Sequence, residues 1–290
     1  MKLFTSLINT IKEHFRLKLI ICFILCAILP LLILGTISYK ISYNIAKDKI
    51  LKETAISCEK NQHLLENRMT QIENLEDSIH FNLCMLCTTA EHPMSNYLDK
   101  LSAVRNNIAS IADSFNIYHV NIFLPDDSFA SKEGLTFCSL SDLKKYKVQL
   151  SDFSKQGLTP NWIFRKDINF PYMVSKGEEP SGVLSCYRYA KINSQKTCLA
   201  VHITSEELSN YLNTFSEGNP SLSYIINSEG VVLSSTDKKQ IGGSLSNEKL
   251  HAITQNLRLS HFSYDKCEII STPVHNQLFL VTETPDYYIR

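Results

Sequence analysis

The chain has 290 residues, with 29 basic and 29 acidic side chains, 44% hydrophobic residues and 10% aromatics. That balance supplies a packed core and excludes a disordered chain. A net charge of zero leaves no electrostatic footprint for nucleic acid.

Leu19 to Ile37 carries no charge. As a helix it spans ~29 Å, the thickness of a bilayer's hydrocarbon core. Lys2, Lys12, Arg16 and Lys18 precede it against the single acid Glu13. The positive-inside rule then puts residues 1–18 in the cytoplasm, a transmembrane helix at 19–38, and residues 39–290 outside the cell membrane. The apolar run exceeds a signal-peptide core and lacks a small-x-small cleavage pattern, so an uncleaved anchor is expected. Pro30 is tolerated mid-span at the cost of a kink.

Beyond the membrane Leu65, Met69, Ile72, Leu75, Ile79, Leu83 and Leu86 recur in steps of three and four, the stripe of a long amphipathic helix. Ile41, Ile45, Leu51 and Ile56 extend it loosely toward the membrane. Without Gly or Pro between Thr36 and His92, one rod is predicted, ending at Glu91-His92-Pro93. Leu98, Leu101, Val104, Ile108, Ile111 and Phe115 mark a second helix, so residues 39–116 read as helical. The membrane-proximal stretch Ile41–Ile56 has no sheet to cover it, and a second copy would: a homodimer is expected.

The period then falls to two. Tyr118, Val120, Ile122 and Leu124 alternate with His119, Asn121 and Phe123, a strand ended by Pro125-Asp126-Asp127. A short helix is predicted over 141–150, a strand from Gly182 to Ile192, and an antiparallel partner from Thr197 to Ile203. Thr204-Ser205-Glu206-Glu207 reads as a capped helix start, continuing from Leu208 to Phe215. Leu222–Ile226 and Val231–Ser234 flank the turn Asn227-Ser228-Glu229-Gly230 as a hairpin. A helix is predicted over 249–259, then strands at 262–264, 268–272 and 278–282. The fold class is therefore α+β: a transmembrane helix continuing into a long amphipathic helix, packed on two PAS-like antiparallel-sheet units at 117–203 (membrane-distal) and 204–285 (membrane-proximal), with 286–290 beginning a further link.

Nine cysteines occur. Cys22 and Cys26 lie in the span; Cys58, Cys84, Cys87, Cys138, Cys186, Cys198 and Cys267 are odd in number and irregular in spacing, so they read as small buried hydrophobes and no bridge is assigned. His80, Cys84 and Cys87 share a helical face, but a fourth ligand is missing and the apolar stripe adjoins them. No metal and no cofactor is expected.

The order of elements resembles a double Cache region, the extracytoplasmic sensing module of bacterial receptors. The resemblance is carried by Ile28-Leu29-Pro30-Leu31 through Ser38-Tyr39, by Cys198-Leu199-Ala200-Val201-His202-Ile203-Thr204-Ser205-Glu206-Glu207-Leu208, by Tyr224-Ile225-Ile226-Asn227-Ser228-Glu229-Gly230-Val231-Val232-Leu233-Ser234-Ser235, and by Leu278-Phe279-Leu280-Val281-Thr282-Glu283-Thr284-Pro285. It implies ligand sensing and transmembrane signalling, most like a two-span sensor histidine kinase of two-component signal transduction. An AraC-type regulator or a chemoreceptor is the alternative output. The chain stops where a second span would begin and carries no phosphoacceptor or ATP-lid motif, so it reads as the sensor part of a receptor.

Amino-acid-binding members of that family use an Arg-x-Trp-Tyr-like segment followed by Tyr-x-Asp. Here Trp162 and Tyr172 fit, while Pro160 and Val174 stand in place of the arginine and the aspartate, which counts against an amino-acid ligand. The aromatic centre of the first unit yields the candidate ligand-binding residues Trp162, Phe164, Arg165, Tyr172, Tyr187 and Arg188, set against the alternative that they are sheet core. The competing class is a membrane-anchored binding protein or enzyme without cytoplasmic output. Against an enzyme, no Gly-x-Ser-x-Gly, His-Glu-x-x-His or paired-acid motif is present, and no catalytic residue is assigned.

Overall fold

The computed structural model describes residues 15–88, 94–125, 136–144, 161–166, 179–192, 195–212, 220–255, 259–275 and 278–289. Helix α1, Phe15–Thr88, is one continuous element running through two compact units, one reaching Glu53 and including Asp286–Arg290, the other spanning Thr54–Pro285.

In the first unit the side chains of α1 from Leu19 to Ile37 stand exposed apart from half-buried Ile21, with Phe23 and Leu31 the most exposed (70% and 69%). It is a helix long and apolar enough to cross a membrane, and an apolar surface on every side requires an apolar surrounding. Pro30 lies inside it. Thr36 returns its hydroxyl to the carbonyls of Leu32 and Ile33.

In the second unit the same helix changes character. Leu65, Met69, Ile72, Leu75, Ile79 and Leu83 are buried on one face, with Cys58 seven residues ahead of Leu65, as three- and four-residue spacing requires. They form one core with residues from two sheets. Helix α2, Met94–Ser114, adds Ile108 and Ala112 to it.

Strands β1 (His119–Leu124), β2 (Phe137–Ser139), β3 (Asn161–Arg165), β4 (Val183–Ile192) and β5 (Gln195–Thr204) make the first sheet, in the order β2-β1-β5-β4-β3. Strands β6 (Leu222–Asn227), β7 (Val232–Ser235), β8 (Ser260–Tyr264), β9 (Cys267–Val274) and β10 (Leu278–Pro285) make the second, in the order β7-β6-β10-β9-β8. The second order repeats the first. All pairings are antiparallel except β1 with β2, where Ile122 faces Phe137. Helix α3 (Ser205–Ser209) joins the sheets, α4 (Asn247–Thr254) packs on the second, and α5 (Asp286–Ile289) comes after β10.

The junction is tightly made. Thr204 caps α3, accepting from the Glu207 backbone N–H at 3.1 Å. Buried Ser205 donates to the Leu233 carbonyl at 2.5 Å and accepts at its own carbonyl from Ser234 Oγ at 2.6 Å, so the end of β5 is tied directly to β7. Gly182, whose carbonyl accepts from Ser205 N–H at 2.9 Å, is held there by crowding: a Cβ would sit 2.7 Å from the Phe164 ring and 2.8 Å from Ser205 Oγ.

Helix α1 is described as far as Thr88, and the predicted Glu91-His92-Pro93 stop lies outside the described residues. Other boundaries differ from the sequence reading. Helix α3 stops at Ser209 and passes into a turn through Leu212, the remainder of the predicted helix lying outside the described residues. The helix expected over 141–150 is a 3₁₀ turn at Leu140–Lys144, the rest lying outside the described residues. Strands β2 and β3 were absent from the expectation: β2 has three residues, and a parallel pair leaves no hairpin signal.

Truncating Ile72 to alanine should lower stability by about 2–5 kcal/mol, seen as a fall in melting temperature, whereas Phe81→Ala, on the exposed face of the same helix, should leave it within about 0.5 kcal/mol.

Candidate functional site

Strand alternation gives the first sheet two different faces. The inner face presents Val120, Ile122 and Leu124 of β1, Leu184 and Cys186 of β4, and Leu199, Val201 and Ile203 of β5 to α1. The outer face carries Phe123, Cys138, Val183, Tyr187, Cys198 and Ala200 in a separate cluster, together with polar side chains at the positions between.

At the centre of the outer face lies His202, fully buried. Its Nδ1 is 2.7 Å from Ser185 Oγ and its Nε2 is 2.9 Å from Asn121 Oδ1. The amide oxygen only accepts, so Nε2–H donates to it and Nδ1 accepts from the serine hydroxyl. That is the neutral tautomer, and burial indeed holds the imidazole well below its ordinary pKa. Tyr187 meets the ring edge-on at 6.1 Å and His119 stacks on it at 6.4 Å. The triplet is neutral and internally satisfied. The Tyr187 hydroxyl differs: it is buried between Ser185 and the cation Arg165. Burial raises its phenol, and Arg165 opposes that rise.

The five candidates among the described residues, Trp162, Phe164, Arg165, Tyr187 and Arg188, fall on two faces of the sheet. Register places Arg165 opposite Val183 and Asn161 opposite Tyr187, so Arg165 and Tyr187 belong to the outer face. Trp162 and Phe164 pair with Cys186 and Leu184 and pack into the inner core. Arg188, one residue on from Tyr187, also points inward and pairs with Glu76 and Asp77 of α1. The reason is the two-residue repeat, which sends neighbours along a strand to opposite faces. Tyr172 lies outside the described residues. His202, Ser185 and Asn121 were missed, although polar residues at alternate strand positions were the available signal.

The inner seam is itself polar. Trp162 Nε1–H donates to Glu73 Oε1 at 3.2 Å, and His275, just past β9, sits 2.7 Å from the same oxygen. Glu73 of α1 thus holds a side chain from each sheet, and the two rings meet edge-on at 6.4 Å. Arg68 bonds the Phe115 carbonyl and lies 3.2 Å from Glu207.

The second sheet offers two surfaces. Its outer face is packed by α4: Ile253 joins Tyr224, Ile226 and Val281, and Lys249 reaches Glu283 at 2.5 Å while lying 5.6 Å over the Tyr224 ring. Beside its other end a groove of about 760 Å³ is lined by Gln62 and Glu66 of α1, Leu250 and His251 of α4, and Pro273 and Phe279. His80 Nε2 lies 3.7 Å from Cys84 Sγ, and the Cys87 side chain is outside those described. Among the described residues no three potential ligands form a metal group.

No family model and no curated protein matches the sequence. Solved structures do. The periplasmic sensory domain of the Campylobacter jejuni chemoreceptor Tlp1 aligns at TM-score 0.60 with 15% identity, over 83% of this chain and 98% of that one. The extracellular domain of vpHK1S-Z8, a proposed histidine kinase, aligns at 0.59 with 13% identity over 85% and 95%. The ligand-binding domain of Campylobacter jejuni chemoreceptor Tlp3, in complex with L-norvaline, aligns at 0.53 with 15% identity over 84% and 94%. The α+β architecture read from the sequence, a long helix with two PAS-like sheets, is the fold these sensory domains share.

Because His202 is neutral when folded and titrates near 6.5 when unfolded, its contribution to stability is present above pH 6.5 and lost as pH falls below it. In His202→Gln, melting curves between pH 7.5 and 5.5 should show a smaller acid-induced decrease than in the native chain.

Proposed function

We propose that this chain is the ligand-sensing, signal-transmitting region of a membrane-anchored bacterial receptor with a double Cache arrangement. The N-terminus is cytoplasmic, residues 39–290 are extracytoplasmic, and two copies pair through the membrane-proximal part of α1. The receptor is of the histidine-kinase type in two-component signalling; a chemoreceptor output is the second reading, favoured by the likeness to Tlp1.

The first sheet's outer face is the ligand side. The observation that carries this is a contrast among its polar groups. Ser185, His202 and Asn121 satisfy one another, whereas the buried Tyr187 hydroxyl is turned to the cation Arg165. A buried donor next to a guanidinium favours a small molecule bearing a carboxylate or another compact anion. Tyr172 joins that set on its sequence pattern. Trp162, Phe164 and Arg188, on the α1 side, relay occupancy to the helix that reads into the membrane. The neighbour Tlp3 is solved with an amino acid bound, which fits a carboxylate-bearing ligand class. Signalling then requires only that the ligand bind two arrangements of α1 with different affinity.

Screening small carboxylic acids by thermal shift on the full chain in detergent should find compounds that raise the melting point. Arg165→Ala and Tyr187→Phe should weaken such binding about tenfold each, roughly 1.4 kcal/mol, while Lys249→Ala should not. A screen without hits, or hits indifferent to both outer-face substitutions, would remove this face from the account.

A further inference from the structure

The inner seam contains a group that ligand binding does not use. Glu76 lies on α1 midway along the buried stripe, with no exposed surface; the Cys186 thiol hydrogen-bonds its carboxyl, and no nitrogen or oxygen donor of the described residues does. Arg188 of β4 approaches it, Nε standing 3.5 Å from Oε2, but Nη1 is committed to Asp77, the next residue of α1, whose side chain is 64% exposed. One guanidinium is therefore shared between a buried acid that it nears and an exposed acid that it bonds.

The other titratable groups facing Glu76 do not supply a counter-charge. From α1, Glu73 repels it, and Glu73 is already occupied by Trp162 and His275. From β4, the Cys186 thiol that bonds Glu76 is neutral, its own ionisation suppressed by burial. His80, one turn further along α1, keeps company with Cys84. An ionised Glu76 would thus be a desolvated charge with half a partner; a protonated one is merely a polar group among apolar neighbours.

We propose that Glu76 is a proton-binding site through which this region senses pH: the protonated carboxyl lets α1 dock on the first sheet with Arg188 committed to Asp77, and loss of that proton draws Arg188 toward Glu76 and loosens the docking. Burial, against partial relief by Arg188, raises this carboxyl from 4.5 to about 8. The group is then about nine-tenths protonated at pH 7 and about nine-tenths charged at pH 9. Its sign comes from linkage. Its share of stability is complete below pH 4.5 and is lost as pH climbs through 8. The input is separate from the small-molecule face, because Glu76 and Arg188 are on the other side of the sheet from Arg165 and Tyr187.

Trp162 is the only tryptophan in the chain and bonds Glu73, about one turn from Glu76, so its emission reports on this seam. With the full chain in lipid nanodiscs, a titration from pH 5.5 to 9.5 should give a transition centred near pH 8. Glu76→Gln should abolish it and stop the melting point from falling between pH 6 and 9. Arg188→Gln should move the midpoint up by about one unit or more, and Asp77→Asn should move it down, since the guanidinium is then free for Glu76. His275→Gln should leave the midpoint in place, which separates Glu76 from the imidazole near Trp162. The proposal is overturned if the native chain shows no transition in that range, if the transition survives in Glu76→Gln, or if Arg188→Gln does not shift it. None of these outcomes depends on finding a small-molecule ligand.

Discussion

Everything in the Thr54–Pro285 unit depends on one helix face serving two sheets. Each sheet is apolar on its inner side and neither could bury that side alone. The stripe from Leu65 to Leu83 meets the first sheet through Ile122, Leu184 and Val201 and the second through Ile225, Ile270 and Leu280. Such burial is worth about 1.5–3 kcal/mol for each large aliphatic side chain, so a helix with six of them is the dominant favourable term rather than a cover. Any change in how α1 sits must therefore alter both sheets, and a change in either sheet must be felt by α1.

Apolar contact along a smooth stripe would tolerate sliding, and the polar residues beside the stripe fix the register. Glu73 takes one donor from each sheet, Arg68 grips the chain after α2 and Glu207 at the junction, Gln62 accepts from Thr272, and Arg188 bridges to Asp77. These bonds are directional where packing is not. Glu76 is the exception in that row, fully buried, with a thiol and the flank of the Arg188 guanidinium as its polar neighbours. Directional bonds along the row fix one arrangement; a buried ionisable group without a full counter-charge gives that arrangement a dependence on protons.

Much of this was legible in the sequence because it rests on short periods. The stripe on α1, the alternation of β1, the hairpin closed by Asn227 and Gly230, with Gly230 at φ +79°, and the Thr204 cap each need only a few neighbouring residues to define them. The candidate site was less legible. Counting Trp162, Arg165, Tyr187 and Arg188 as one aromatic-rich group treated closeness in sequence as closeness in space, and a strand does the opposite, sending Tyr187 outward and Arg188 inward. The predicted strand over 182–192 already forces that split, whereas the parting of Trp162 from Arg165 needs β3, which at five residues, between segments without hairpin chemistry, was not recognised.

Local pattern alone was enough for the apolar segment of membrane length at Leu19–Ile37, for the long amphipathic helix, and for the α+β character of the remainder of the chain. Each of these is a run of hydrophobicity set against a known geometric repeat. Long-range packing supplied the rest: that the two sheets share one strand order, that the outer face is built on the neutral Ser185–His202–Asn121 set, and that Glu76 faces Arg188 across the seam. His202 and Asn121 are 81 positions apart and Glu76 and Arg188 more than a hundred, and nothing in a local repeat records which distant partner burial will bring alongside.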